Sequence, residues 1–73
     1  MIVRATLIKR TTDDGLVGFK DDIPLGRIYN VLLETRVMWN GFNFEKNKAW
    51  KREMIEAAEG GWIPTELLQI EEE

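Results

Sequence analysis

Apolar and polar positions alternate along much of the chain and divide it into short extended segments. Val3, Ala5 and Leu7 fall on one face of a segment from Met1 to Ile8, with Arg4 and Thr6 on the other. That is the period of a half-buried strand. Arg27 to Trp39 repeats the pattern at greater length: Tyr29, Val31, Leu33, Val37 and Trp39 share a face interrupted only by Thr35. Such a run exceeds the about five or six residues of an ordinary strand, so a bulge or sharp bend is expected inside it. Between these segments, Lys9 to Gly15 is a loop by composition, and Leu16 to Phe19 suits a short edge strand. Asp21 to Gly26 is a second turn region in which Pro24 fixes φ. Asn40-Gly41 carries the signature of a type I′ hairpin turn, with Phe42 and Phe44 starting the returning strand.

Residues 44–59 permit two readings. Trp50, Met54, Ala57 and Ala58 fall at i, i+4, i+7 and i+8, and Gly60 sits where a helix C-terminal cap belongs. The charges oppose a helix, since the bases come early and the glutamates late, against the dipole. A strand over Trp50 to Glu56 would put Met54 and Ile55 on opposite faces and would need both faces covered. The period favours the helix. Gly60-Gly61 then allows a tight reversal. Trp62-Ile63 opens a new apolar segment, which Pro64 ends because it has no N–H to donate. Thr65 to Leu68 suits one 3₁₀ turn capped by Thr65, and Ile70 resumes the apolar face.

Gly26-Arg27-Ile28-Tyr29-Asn30-Val31, followed by Gly61-Trp62-Ile63-Pro64-Thr65-Glu66-Leu67-Leu68, resembles a group of short phage and prophage proteins with SH3-like folds. Arg27 stands where that pattern has Lys, and the stretch from Thr35 to Glu59 is longer than the pattern and lies outside it. The resemblance implies a fold and a viral origin, and it carries over no catalytic residue. The expected architecture is a single β-rich α+β domain over 1–73 with an acidic C-terminal tail at 71–73. It is a small SH3-like antiparallel barrel or sheet of about four to five strands, with one short helix within 44–59. Val3, Leu7, Tyr29, Val31, Leu33, Trp62, Ile63 and Leu67 are its expected core.

Composition narrows the chemistry. The chain has 73 residues and neither cysteine nor histidine. That removes disulfides, thiolate metal sites and the commonest general base and zinc ligand. No cofactor or metal is expected, and no enzyme. No apolar run approaches the about 20 residues of a membrane span, and Met1-Ile2-Val3-Arg4 does not resemble a signal peptide. The expectation is a cytoplasmic monomer, in the host cytoplasm if the origin is viral. Gly15-Leu16-Val17-Gly18 has the spacing of a KH-type backbone clamp, but beside Asp13, Asp14, Asp21 and Asp22 it reads better as an ordinary turn. Those aspartates lack the glycine and glutamate spacing of a calcium loop.

The net charge of −3 hides a separation along the chain. Residues 46–52 carry Lys46, Lys48, Lys51 and Arg52 and no acid, whereas residues 53–73 carry glutamates and no base. The bland reading is a solvated surface. The functional reading is a non-catalytic protein-binding module, phage-encoded, that regulates a host protein by docking on it. The host transcription machinery, such as RNA polymerase, is a target by analogy alone. Two surfaces are candidates. One is the N-terminal strand with Arg4, Lys9 and Arg10. The other is the excursion that holds Trp39, Lys48, Lys51 and Arg52. The alternatives are a nucleic-acid-binding module using the aromatic and basic run of 39–52, and an acidic nucleic-acid mimic using the glutamates of 53–73.

Overall fold

The computed structural model describes residues 1–71. Five strands, β1 (Ile2–Leu7), β2 (Ile28–Asn43), β3 (Lys48–Ala57), β4 (Trp62–Pro64) and β5 (Leu68–Ile70), form one antiparallel sheet in the order β4-β3-β2-β1-β5. The sheet is open, with no ladder joining β4 to β5. Among the described residues the only helical piece is the 3₁₀ turn Thr65–Leu67, so the domain is all-β rather than α+β. Of the acidic tail, Glu71 is described, and Glu72 and Glu73 lie outside the described residues.

β1 lies inside the sheet. It pairs with β2 through Val3↔Val31 and Ala5↔Tyr29, and with β5 through Ala5↔Ile70 and Leu7↔Leu68. The alternation read from the sequence delivers Ala5, Leu7, Tyr29 and Val31 to one face. There they join Ile55, Ala57, Ile63, Leu67 and Leu68 in the core. Val3 and Leu33 sit at its margin, half-buried. Trp62 is half-buried too, because it pairs with Glu56, one position out of phase with the inward pair Ile55↔Ile63. Its ring packs against Trp39 instead, with centroids 4.9 Å apart.

The bend expected inside β2 is present. The register jumps from Leu32↔Glu56 to Val37↔Met54, so the outgoing strand carries extra residues between those pairs. Thr35, the polar interruption of the apolar face, holds this bulge: its hydroxyl donates to the Leu32 carbonyl at 2.7 Å and accepts the Glu56 N–H at 2.9 Å.

Four local expectations are corrected. Residues 44–59 contain no helix and supply a turn followed by β3. The strand wins because both of its faces are covered: Ile55 enters the core, while Met54 is buried between its register partners Val37 and Pro64. Asn40-Gly41 is not the turn but lies within β2, opposite Lys51 and Trp50. A Cβ on Gly41 would come within 2.0 Å of the Trp50 ring, so glycine serves a close approach here rather than a reversal. The reversal falls at 44–47, where Asn47 takes φ 54° and the Asn43 side-chain oxygen accepts the Lys46 N–H at 2.9 Å. Phe42 therefore belongs to the outgoing strand and Phe44 to the turn. Leu16 to Phe19 forms no edge strand, only the isolated bridge Thr11↔Gly18. Thr65 makes no capping bond and donates its hydroxyl to Glu53 at 2.9 Å.

Candidate functional site

Past the bulge, β2 pairs only with β3, from Val37↔Met54 to Asn43↔Lys48. β4 covers β3 only from Met54 to Glu56. The result is a two-stranded arm extending from the sheet. The molecule measures 37 × 26 × 19 Å, with a radius of gyration of 12.1 Å. A compact chain of this length would give about 11 Å.

The register sorts the arm's side chains onto two faces. Val37, Trp39, Gly41 and Asn43 share one face with Lys48, Trp50, Arg52 and Met54. Part of this face is covered. The Asn43 amide donates to the Leu16 carbonyl at 2.8 Å, which pins the loop between β1 and β2 against the arm. Met38, Asn40 and Phe42 share the other face with Ala49, Lys51 and Glu53. That face is open. Met38 is 58% exposed and Phe44 at the tip 87%, with the Phe44 ring centroid 4.9 Å from that of Phe42. Lys46, Lys48 and Lys51 are exposed, and no ion pair holds any of them among the described residues.

Arg52 behaves differently from its neighbours. Its side chain is 10% exposed and donates to Asp14 at 2.6 Å and Glu66 at 2.8 Å. Its guanidinium lies 5.3 Å from the Trp50 ring centroid. It thus clamps together the arm, the β1–β2 loop and the 3₁₀ turn. Its Nε is buried without a hydrogen-bond partner among the described residues. The Asp14 carboxyl is held well below the usual carboxylate range, first by the Thr12 hydroxyl and then by Arg52 and the Leu16 N–H. Thr12 is buried, donating to Asp14 at 2.6 Å and accepting the Val17 N–H at 3.3 Å.

The N-terminal candidates are dispersed and engaged. Arg4 pairs with Glu71 at 3.2 Å. Lys9 donates to Asp13 at 2.7 Å, a bond that raises its pKa above the ordinary lysine value. Arg10 donates to the Ile23 carbonyl at 2.6 Å. β1 is covered as an edge along most of its length: β2 lines one side, β5 the other from Ala5 to Leu7, and the Glu71 N–H reaches the Arg4 carbonyl. The fold therefore gathers Trp39, Lys48, Lys51 and Arg52 on the arm and leaves Arg4, Lys9 and Arg10 outside it. Met38, Phe42, Phe44 and Lys46 complete the arm's surface. The turn expected at Asn40-Gly41 concealed how far they project.

Away from the arm, a groove of about 870 Å³ is lined by Met1, Val3, Leu33, Arg36 and Glu71 among others. The N-terminal ammonium nearby donates to Glu34 at 2.6 Å and holds that carboxyl below its ordinary pKa. Among the described residues no group of three or more acidic, histidine or cysteine side chains is placed to hold a metal ion. Among the described residues no helix is long and apolar enough to cross a membrane. Comparison with protein-family models, with curated proteins and with solved structures finds no match.

Proposed function

We propose that this chain is an SH3-like, non-catalytic protein-binding module that docks through the β2–β3 arm. Three features support the SH3-like reading: the strand order, the long connection from β1 to β2, and the 3₁₀ turn between β4 and β5. The observation that carries the function is the open face of the arm. Phe42 and Phe44 offer aromatic anchors at its end, Lys51 lies on the same face, and Lys46 and Lys48 stand at the tip, none of the three held by an ion pair among the described residues. Exposed rings near the centre of a contact supply most of its energy, while rim charges set steering and specificity. The matching partner surface is acidic with an apolar hollow. A host protein, RNA polymerase among the candidates, follows from the phage resemblance and from analogy. The overall charge of −3 weighs against a nucleic-acid partner, since phosphate-driven binding needs a net basic footprint.

The test is capture from host lysate by immobilised protein, read by quantitative mass spectrometry. Phe44→Ala and Lys51→Glu should lose a protein that the wild type and a Leu25→Ala control retain, Leu25 being exposed away from the arm. Unchanged capture by the arm variants would remove the arm from the reading. Salt-sensitive oligonucleotide binding, lost on Lys48→Glu, would replace it with the nucleic-acid reading.

A further inference from the structure

An exposed strand edge presents unpaired N–H and C=O groups to any other strand, and folded proteins blunt such edges with proline, charge or brevity. Most edges of this sheet follow that rule. β4 ends in Pro64, and β5 has three residues. The part of β3 beyond β4 carries Lys48, Lys51, Arg52 and Glu53. The exception is β2 past the bulge, Val37-Met38-Trp39-Asn40-Gly41-Phe42-Asn43, which has neither a charge nor a proline. β1 pairs with β2 only up to Leu32, and no backbone hydrogen bond joins residues 37–43 to any element but β3 among the described residues.

We propose that this edge pairs with the same edge of a second copy of the chain, antiparallel about a two-fold axis at Asn40. The segment suits itself as a partner. Being uncharged, it sets no like charges across the axis, which would oppose pairing. Pairing about Asn40 places Met38 across from Phe42 of the second copy, and both are exposed in the single chain. Just beyond the segment, the base of each arm carries Glu34 and Arg36, and the tip carries Glu45 and Lys46. Antiparallel alignment brings the base of one arm to the tip of the other. The base and the tip each carry one acid and one base, so the ends that approach bring no net like charge together. The same two-fold closes the assembly, because the outer strand on each side is then β3 with its charged edge. The open face of the arm remains free, so this pairing is separate from the docking proposed above.

Sedimentation equilibrium over a concentration series tests the pairing. The wild type should show a dimer fraction that rises with concentration. Asn40→Lys and Asn40→Glu each set like charges across the axis and should weaken association about tenfold or more. The equimolar mixture of the two variants sets opposite charges there and should recover it. Asn40 is exposed, so both variants should keep the wild-type circular dichroism. Asn40→Cys gives a second readout in a chain without other cysteines. Opposed Cα atoms of about 4.5–5.5 Å suit a disulfide, so mild oxidation should yield a covalent dimer. A Lys20→Cys control should not. A wild type that stays monomeric throughout overturns the proposal, as do Asn40 variants that dimerise like the wild type. Phe44→Ala should leave the dimer intact, which separates this outcome from failure of the docking reading.

Discussion

The body of the sheet and its arm are made from the same two strands, yet different forces hold them. Before the bulge, β2 and β3 are flanked by β1 and β4, and Val31, Ile55 and Ala57 lie fully buried among neighbours from every strand. Past the bulge they have only each other, and Val37, Met38, Phe42 and Phe44 are exposed. A two-stranded hairpin is marginal alone in water. The arm keeps its shape through a few specific contacts: Trp50 lying over Gly41, Asn43 bonded to Leu16, and Arg52 clamped by Asp14 and Glu66. Stability and display are thus divided along one pair of strands, with Thr35 marking the boundary.

Substitutions should separate the two regions in graded steps. Ile55→Ala removes a fully buried side chain of the body and should lower stability by about 2–5 kcal/mol in urea denaturation, most of what a domain this small has. If Phe42→Ala lost as much, the arm would have to be counted as core. Gly41→Ala drives a methyl group into the Trp50 ring and should cost about 1–3 kcal/mol, with a shift in tryptophan fluorescence as the ring moves.

The body was legible in the sequence because its signals agree. Val3, Ala5 and Leu7 alternate, Tyr29 and Val31 continue the face, and Gly60-Gly61 and Pro64 punctuate β4 where they should. The arm was misread because two of its signals carry double meanings. Asn40-Gly41 has hairpin chemistry, but its glycine answers to a ring on the opposite strand, which no local pattern records. Trp50 and Met54, four apart, share a face under a helical or a strand period alike. Only Ala57 distinguishes them, and it goes inside with Ile55. The reversed charge order was the correct warning against a helix. Asn47, able to take the left-handed conformation, marked the true turn.

Smaller effects concern the clamp. Arg52→Met keeps the packing on Trp50 but frees Asp14 and Glu66, and should cost about 1–2 kcal/mol and speed proteolysis within residues 12–18. Ionised Asp14 favours the fold in full above its unfolded pKa near 3.8, and that contribution fades as pH falls toward the lower folded value. Asp14→Asn should therefore lower the melting temperature near neutrality. It should also flatten the acid decline expected of the wild type below about pH 4. Phe44→Ala, at the far end of the comparison, should change stability by no more than about 0.5 kcal/mol while abolishing partner capture.

The central place of β1 also sets a schedule. The β2–β3 hairpin joins neighbours in sequence and can close as soon as both strands leave the ribosome, since such hairpins form within microseconds. β1 is made first but completes its ladder only when Ile70 arrives to meet Ala5, nearly the whole chain later. Contacts of such separation slow folding. Throughout that interval the hairpin, marginal on its own, carries the uncharged edge of Val37 to Asn43 without the body behind it. The edge pairing proposed above would compete with completion of the sheet during that interval.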